Sequence, residues 1–291
     1  MKGDLRGWLR GKRCKAKGAQ KRWMRQAFET VQGRLLKDAP AQQILGIRSG
    51  GGAGAGGFLQ APRSIEDRVA DQHFVASVRA RLGLSLGPAA SLTQQGGTAP
   101  QRQHRPRKGG PCCGALLDAD GKHAAHCEVG SHVLDRHDDT VRLLARKLRE
   151  DCGNIVAVEQ RRPELDYRND AGDWVEARMD LVVTLQGKIC LLDMTYADVR
   201  TSDAVRLAAR LRRDGAAARA AEDRKRRRYG SSVIPVVLES GGRLGEAGRR
   251  WLKKAYRAAG AQAEWPALMR ALSAQVQAST AAIVIAAVAG A

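Results

Sequence analysis

The chain has 291 residues, with 50 Lys and Arg against 30 Asp and Glu and a formal net charge of +20. That balance favours a polyanionic partner, nucleic acid before an anionic membrane surface. Only 4% of residues are aromatic, which argues against a base-stacking platform of the single-strand-binding kind.

Residues 1–48 read as a basic helical arm. Ten of the first 25 are Lys or Arg, and Trp8, Trp23, Met24 and Phe28 could form a small apolar stripe. Two readings stay open: a nucleic-acid-binding arm, or a solvated helix with no binding role. The N-terminus is basic without an apolar run, so no secretory signal is expected. Residues 49–63 form a Gly/Ala linker that should not build a core. Residues 64–110 open with a helix carrying Ile65, Val69, Phe74, Val75, Val78, Leu82 and Leu84 at helical spacing, with Ser64 as N-cap and Asp67 near N3. A Gly, Pro, Gln and Arg-rich linker follows.

Residues 111–134 carry a Cys/His cluster. Residues 135–260 read as one mixed α/β domain. An amphipathic helix at 135–151 places Val141, Leu144, Ala145 and Leu148 on one face. Strands are expected at 154–158, 174–184 and 188–194, the last almost continuously apolar and so buried on both faces. A long Ala/Arg helix at 202–228 leads to a strand at 232–239, where Pro235 argues for an edge or a bulge. A helix at 243–259 closes the order α-β-β-β-α-β-α. The tail, 261–291, includes an apolar run at 281–289 that is too short to span a bilayer, and it reads as a buried or frayed helix end. No membrane partner is expected.

The six cysteines, Cys14, Cys112, Cys113, Cys127, Cys152 and Cys190, do not space as a disulfide framework. A nuclear or other intracellular, reducing setting is expected.

Two aspartates carry the sharpest chemical signal. Asp180 and Asp193 lie on successive strands joined by a short Gln186-Gly187 turn, with twelve residues between them. A lone Asp is disfavoured inside a strand, and a buried carboxylate is costly unless paired or metal-bound. Paired carboxylates suit a hard cation such as Mg2+ or Mn2+, which binds a phosphate oxygen and lowers the pKa of an attacking water. Glu159 could add a third oxygen. A cation beside the developing charge is also useful, and Lys188 and Lys225 are the candidates, because Thr195 cannot serve. The competing reading is two salt-bridged strand residues facing the abundant arginines. From Arg206 to Arg228 there are ten basic and three acidic residues, a net of +7 that could hold a nucleic-acid backbone.

In the Cys/His segment, Cys112, Cys113, His123 and Cys127 suit tetrahedral Zn2+, with His126 an alternative ligand. The adjacent cysteines depart from the usual two-residue spacing, and ordinary loop residues are the competing reading.

Ordered blocks then carry a family likeness: Gly54-Ala55-Gly56-Gly57-Phe58-Leu59 with Arg81-Leu82-Gly83-Leu84; Cys113-Gly114 through His123 to Cys127; Arg136-His137-Asp138; Glu159, Asp180 and Asp193; and Lys225, Tyr229 and 234–242. Over roughly residues 50–260 the chain resembles the C-terminal region of site-specific non-LTR retrotransposon polyproteins, a zinc knuckle followed by a restriction-like endonuclease of the PD-(D/E)XK superfamily. The resemblance implies a restriction-endonuclease-like αβββαβ core. It also implies a Mg2+-dependent hydrolase that nicks DNA so that a reverse transcriptase can prime from the new 3′ end. Asp180 and Asp193 fill the two catalytic Asp positions, Glu159 the upstream acidic one and Lys225 the downstream helical Lys. Cys113, His123 and Cys127 fill three knuckle positions. Arg178, Arg224, Arg226, Arg227 and Arg228 are expected on the DNA backbone, with RNA a further partner. Met179 stands where the family has Pro, and the first knuckle Cys is displaced to Cys112. The residues ahead of the knuckle are too few for a reverse-transcriptase core; a fragment, a decayed copy and a domesticated remnant all stay open, and a reverse transcriptase in trans is one candidate partner. The alternative function is a catalytically inactive nucleic-acid-binding remnant.

Overall fold

A computed structural model describes residues 39–82, 113–115, 121–127, 129, 132–201 and 203–290, with isolated positions before residue 39. The chain divides into two compact units, Met1–Ile44 and Leu45–Ala291. The apolar stripe expected from Trp8, Trp23, Met24 and Phe28 lies outside the described residues, as does the linker at 83–112.

The second unit is mixed α/β, built on a four-stranded sheet. Helix α4 (His132–Glu150) leads into β1 (Ile155–Arg161), followed by a two-stranded hairpin of β2 (Tyr167–Arg168) and β3 (Trp174–Val175). Strands β4 (Arg178–Leu185) and β5 (Lys188–Ala197) come next. Helices α5 (Ala204–Arg212) and α6 (Ala216–Tyr229) then lead to β6 (Val233–Glu239), α7 (Glu246–Ala258) and α8 (Trp265–Gly290). Ahead of these lie α1 (Ala41–Gly50), α2 (Asp71–Arg81) and the short α3 (Lys122–His126). The sheet order is β1-β4-β5-β6. The first two pairings are antiparallel, and β6 joins β5 in parallel through the α5–α6 crossover.

Local chemistry accounts for the sheet. The β4–β5 hairpin closes on Gln186 (φ 49°) and Gly187 (φ 75°), consecutive left-handed residues that match the twist of the flanking strands. Pro235 is tolerated because β6 is an edge strand. Strand β5 is central, as its apolar run predicts, although Ile189 near its start is exposed.

Residues alternate across the sheet. Leu181, Val183, Leu192, Met194, Val236 and Leu238 join one core with α4, α7 and α8. The face predicted for α4, Val141, Leu144, Ala145 and Leu148, is fully buried there. On the opposite side Ala197 and Val237 pack with Ala217, Ala218 and Ala221 of α6. Asp193, which alternates with Leu192 and Met194, points to that side.

Three expectations are corrected. The helix expected at 202–228 is two helices, because Gly215 (φ 72°) takes a left-handed turn between α5 and α6. The 49–63 segment is no free linker: Ala55 and Phe58 are buried. Ser273 of α8 donates to the Ala55 carbonyl (2.9 Å) and accepts from the Phe58 amide (3.1 Å). Gly57 permits the approach, since a Cβ there would stand 2.8 Å from the Arg270 Cα. Ser64 does form a capping box with Asp67, but it caps a 3-10 turn (Ile65–Asp67); the α-helix starts at Asp71 and buries Ala76 and Ser77 while leaving Val75 exposed. The C-terminal tail, expected as a buried or frayed helix end, is a buried helix, but of 26 residues and so longer than the apolar run at 281–289; its sides bury Leu268, Leu272, Val276, Ile283 and Val284. Its length and composition would allow a membrane crossing, yet 61% of its apolar window is buried inside the protein, as a core helix requires.

Candidate active site and Cys/His cluster

The β4–β5 register brings the two aspartates together. The last paired residues are Leu181 and Leu192, and one step further along stand Asp180 and Asp193. The Asp180 carboxylate oxygen Oδ2 accepts a hydrogen bond from the Met194 amide, which ties it to β5. Asp193 is 5% exposed.

Two helices deliver cations to the pair. Lys225 of α6 places Nζ 2.6 Å from Asp193 Oδ2. His137 of α4 places Nε2 3.3 Å from Asp180 Oδ2, and its Nδ1 lies 3.1 Å from Asp138 Oδ1. Burial pushes the Asp193 carboxyl up; Lys225 opposes this and the nearby Asp180 adds to it, leaving Asp193 at about 6. Burial disfavours the His137 cation, but hydrogen bonds to Asp180 and Asp138 and their charges outweigh it and raise the imidazole to about 9. His137 is therefore an imidazolium at neutral pH.

The structure thus brings together Asp180, Asp193 and Lys225. Glu159 is not part of this group. It stands opposite Asp180 in the β1–β4 register, but its backbone is left-handed (φ 53°) and its side chain is exposed. No hydrogen bond or ion pair joins it to either aspartate among the described residues. A non-glycine in this region is strained, and Glu159 falls out of the pleat that would otherwise aim it at Asp180. Lys188 lies at the turn end of the hairpin, away from the carboxylates.

His137 and Asp138 are site residues that the reading of carboxylates overlooked. Their signal was the Arg136-His137-Asp138 run at the start of an amphipathic helix. Behind them Arg136 is buried; its guanidinium lies 4.3 Å from the Tyr196 ring centroid and donates to the Ala125 carbonyl at 3.0 Å. Thr140 and the Tyr196 hydroxyl are 2.7 Å apart. These contacts lock the first turns of α4 onto β5 and so fix the position of His137.

Further basic residues of α6 neighbour Lys225 in the sequence. Arg224, Arg226, Arg227 and Arg228 are exposed, as is Arg178 two residues ahead of Asp180. Arg226 pairs with Asp223 (3.5 Å), whereas Arg178, Arg224 and Arg227 make no ion pair among the described residues.

The second cluster is Cys113, His123 and Cys127, whose ligand atoms all lie within 4.8 Å of one another. Cys113 Sγ and His123 Nε2 are 3.1 Å apart. Gly121 (φ 61°) turns the chain into α3, which carries His123 in its first turn and ends at Cys127. This Cys-His-Cys group could hold a metal such as zinc. Cys112 lies outside the described residues. His126, the alternative ligand, instead faces Asp198, with Nε2 3.4 Å from Oδ2. Burial dominates there and lowers its imidazole to about 4.

Comparison with protein-family models and with curated proteins finds no match for this chain.

Proposed function

We propose that this chain is a metal-dependent DNA endonuclease with a restriction-endonuclease-like core, hydrolysing a phosphodiester to nick its target, as the resemblance to non-LTR retrotransposon polyproteins implies. The observation that carries the reading is the convergence of Asp180, Asp193 and Lys225 from β4, β5 and α6 at one point on the sheet. With the β2–β3 hairpin and α5 taken as insertions, the order α4, β1, β4, β5, α6, β6 is compatible with an αβββαβ core.

The donor set fits a hard divalent cation. Two carboxylates meet on adjacent strands, and the raised Asp193 carboxyl reports the repulsion and burial that a cation would relieve. When bound, Mg2+ or Mn2+ would polarise a phosphate oxygen and acidify a water. Asp180 and Asp193 would hold the ion, with the Met194 amide fixing the Asp180 carboxylate. Lys225 would stabilise charge developing on the phosphate. The His137 imidazolium orients Asp180 and would supply a further positive charge or a proton at Nε2. Arg178, Arg224 and Arg227 would anchor the DNA backbone. In the family reading zinc would sit at Cys113, His123 and Cys127, and a reverse transcriptase would prime on the nicked DNA.

A second reading, an inactive DNA-binding remnant, is favoured by one observation: both aspartates are already matched by protein cations, Lys225 and His137. Plasmid nicking separates the two. Supercoiled DNA is expected to open with Mg2+ but not with EDTA, and the Asp180→Ala/Asp193→Ala protein should bind without cutting. Equal nicking by that double variant would remove the endonuclease reading; retarded but uncut plasmid with the unaltered protein would establish the remnant.

A further inference from the structure

The β2–β3 hairpin has no role in the hydrolytic chemistry, and its composition is unusual for a surface turn. Low aromatic content across the chain does not exclude a local concentration, and one occurs here. Trp174 is 67% exposed. Its cross-strand partner is Arg168, whose guanidinium carbon lies 5.1 Å from the indole centroid. The other face of the hairpin carries Tyr167, edge-on to Tyr229 at 5.8 Å. Arg228 lies over the Tyr167 ring at 4.3 Å. Core packing does not require an exposed Trp, because little of its apolar surface leaves water.

The hairpin is also preformed. Asn169 Oδ1 accepts hydrogen bonds from the amides of Ala171 (3.0 Å) and Asp173 (2.8 Å), closing the loop with Gly172 at φ 87°. Asp166 clamps its base, pairing with Arg161 and accepting from the Ala177 amide at 2.8 Å.

Its position links it to the carboxylates. Lys225, Arg228 and Tyr229 fall at i, i+3 and i+4 on α6, hence on one helix face. Lys225 reaches Asp193 while Arg228 and Tyr229 grip Tyr167. The Tyr229 hydroxyl is close enough to feel the Asp193 charge, which adds to burial in raising its pKa. The hairpin leads directly into β4, so Trp174 is six residues ahead of Asp180.

We propose that this hairpin is a stacking wall for an unpaired nucleotide of DNA, with Trp174 receiving a base and Arg168 a flanking phosphate. A duplex keeps its bases stacked on each other and cannot present one to an indole face, whereas a single-stranded or splayed segment can. The arginines beside both aromatic faces supply complementary charge for the backbone. The inference rests on the endonuclease reading and refines its substrate: DNA with single-stranded character next to the scissile phosphate.

The test is fluorescence anisotropy of the full chain, without divalent metal, on a labelled mixed-sequence single strand and on the same strand annealed to its complement. Trp174→Ala is expected to weaken single-strand binding about tenfold, in line with base–aromatic stacking, and to change duplex binding less than twofold. Trp174→Phe should restore most of the loss. Equal loss on both DNAs, or no loss on either, overturns the proposal. Trp174 is largely exposed, so an unchanged thermal melt is expected for Trp174→Ala. Plasmid nicking by the same proteins keeps the two readings apart. Cleavage that depends on Asp180 with no effect of Trp174 on single strands sinks the stacking wall alone; selective single-strand loss without metal-dependent cleavage sinks the endonuclease alone.

Discussion

Lys225 reaches Asp193 across the α5–α6 crossover and closes to 2.6 Å, a contact that joins the middle of the central strand to the last turns of α6. Asp193 is buried, so its charge is tolerated through this cation and any bound metal. Thr195, on the same side of β5, offers no charge, and α6 supplies what the strand lacks.

Removing that cation should affect both rate and stability. Lys225→Ala is expected to lower the nicking rate by roughly 100- to 1000-fold, as loss of a transition-state charge partner does. Asp193→Ala should abolish nicking while leaving DNA affinity nearly unchanged. Gel-based nicking rates and anisotropy titrations check both. The Asp193 carboxyl is already raised to about 6, above its unfolded value near 4. The folded state therefore holds a proton that the unfolded state releases. In metal-free protein, stability falls as pH rises from about 4 through 6, by on the order of 3 kcal/mol. Urea unfolding of Asp193→Asn should lack this component.

His137 works in the opposite pH range. Its folded value near 9 exceeds the unfolded value of 6.5. The contribution is fully present below pH 6.5 and is lost as pH rises through about 9. It amounts to a few kcal/mol by linkage. His137→Gln is expected to be less stable than the parent at pH 6 and to approach it at pH 10, read from urea midpoints at each pH.

The Cys/His cluster should bind about one equivalent of Co2+ or Zn2+, with the visible bands of a thiolate-bound tetrahedral Co2+ site. Cys113→Ser, His123→Ala and Cys127→Ser should each abolish or shift those bands. His126→Ala should leave them intact, since His126 faces Asp198. Loss of the bands in Cys112→Ser would identify Cys112 as the fourth ligand.

Far from the site, Asp67 and Arg270 form a buried pair with Nε 2.9 Å from Oδ2. Asp67 also accepts from the Ser64 amide (2.7 Å) and the Arg63 amide (3.0 Å). Burial works against its ionisation, but these bonds hold its carboxyl down at about 2. Its stabilisation is present above pH 4 and is lost as pH falls through about 2. Arg270→Ala is expected to cost about 3–5 kcal/mol at neutral pH, because it leaves a buried carboxylate unpaired. Chemical denaturation beside the Asp67→Asn/Arg270→Met double variant, which should recover much of that loss, tests this.

Much of the architecture was legible because it rests on local rules. The spacing of Val141, Leu144, Ala145 and Leu148 is a helix face wherever it occurs, and Gln186-Gly187 between apolar runs is a hairpin turn. Pro235 marked the sheet edge because it lacks an amide proton to donate. The Asp180 and Asp193 signal was likewise local, two carboxylates in strands that disfavour them. The Gly/Ala segment at 49–63 misled because small residues serve flexible loops and close helix contacts equally well. Only the presence of α8, with its Ser273, against Ala55, Gly57 and Phe58 distinguishes the two uses. Glu159 misled for a different reason: alternation along β1 aims it at Asp180, but a left-handed backbone at that residue breaks the alternation.

By itself the sequence determined most of the element types, the net positive charge and the presence of two strand aspartates, since these follow from periodicity, turn chemistry and composition. Tertiary structure alone decided which charges meet. The register set Asp180 beside Asp193, and the α5–α6 crossover chose Lys225 over Lys188. The packing of α4 brought His137 to Asp180. The crossover also set Tyr229 of α6 against Tyr167 of the hairpin. Such pairings depend on distances between residues far apart in the chain, which no local pattern encodes.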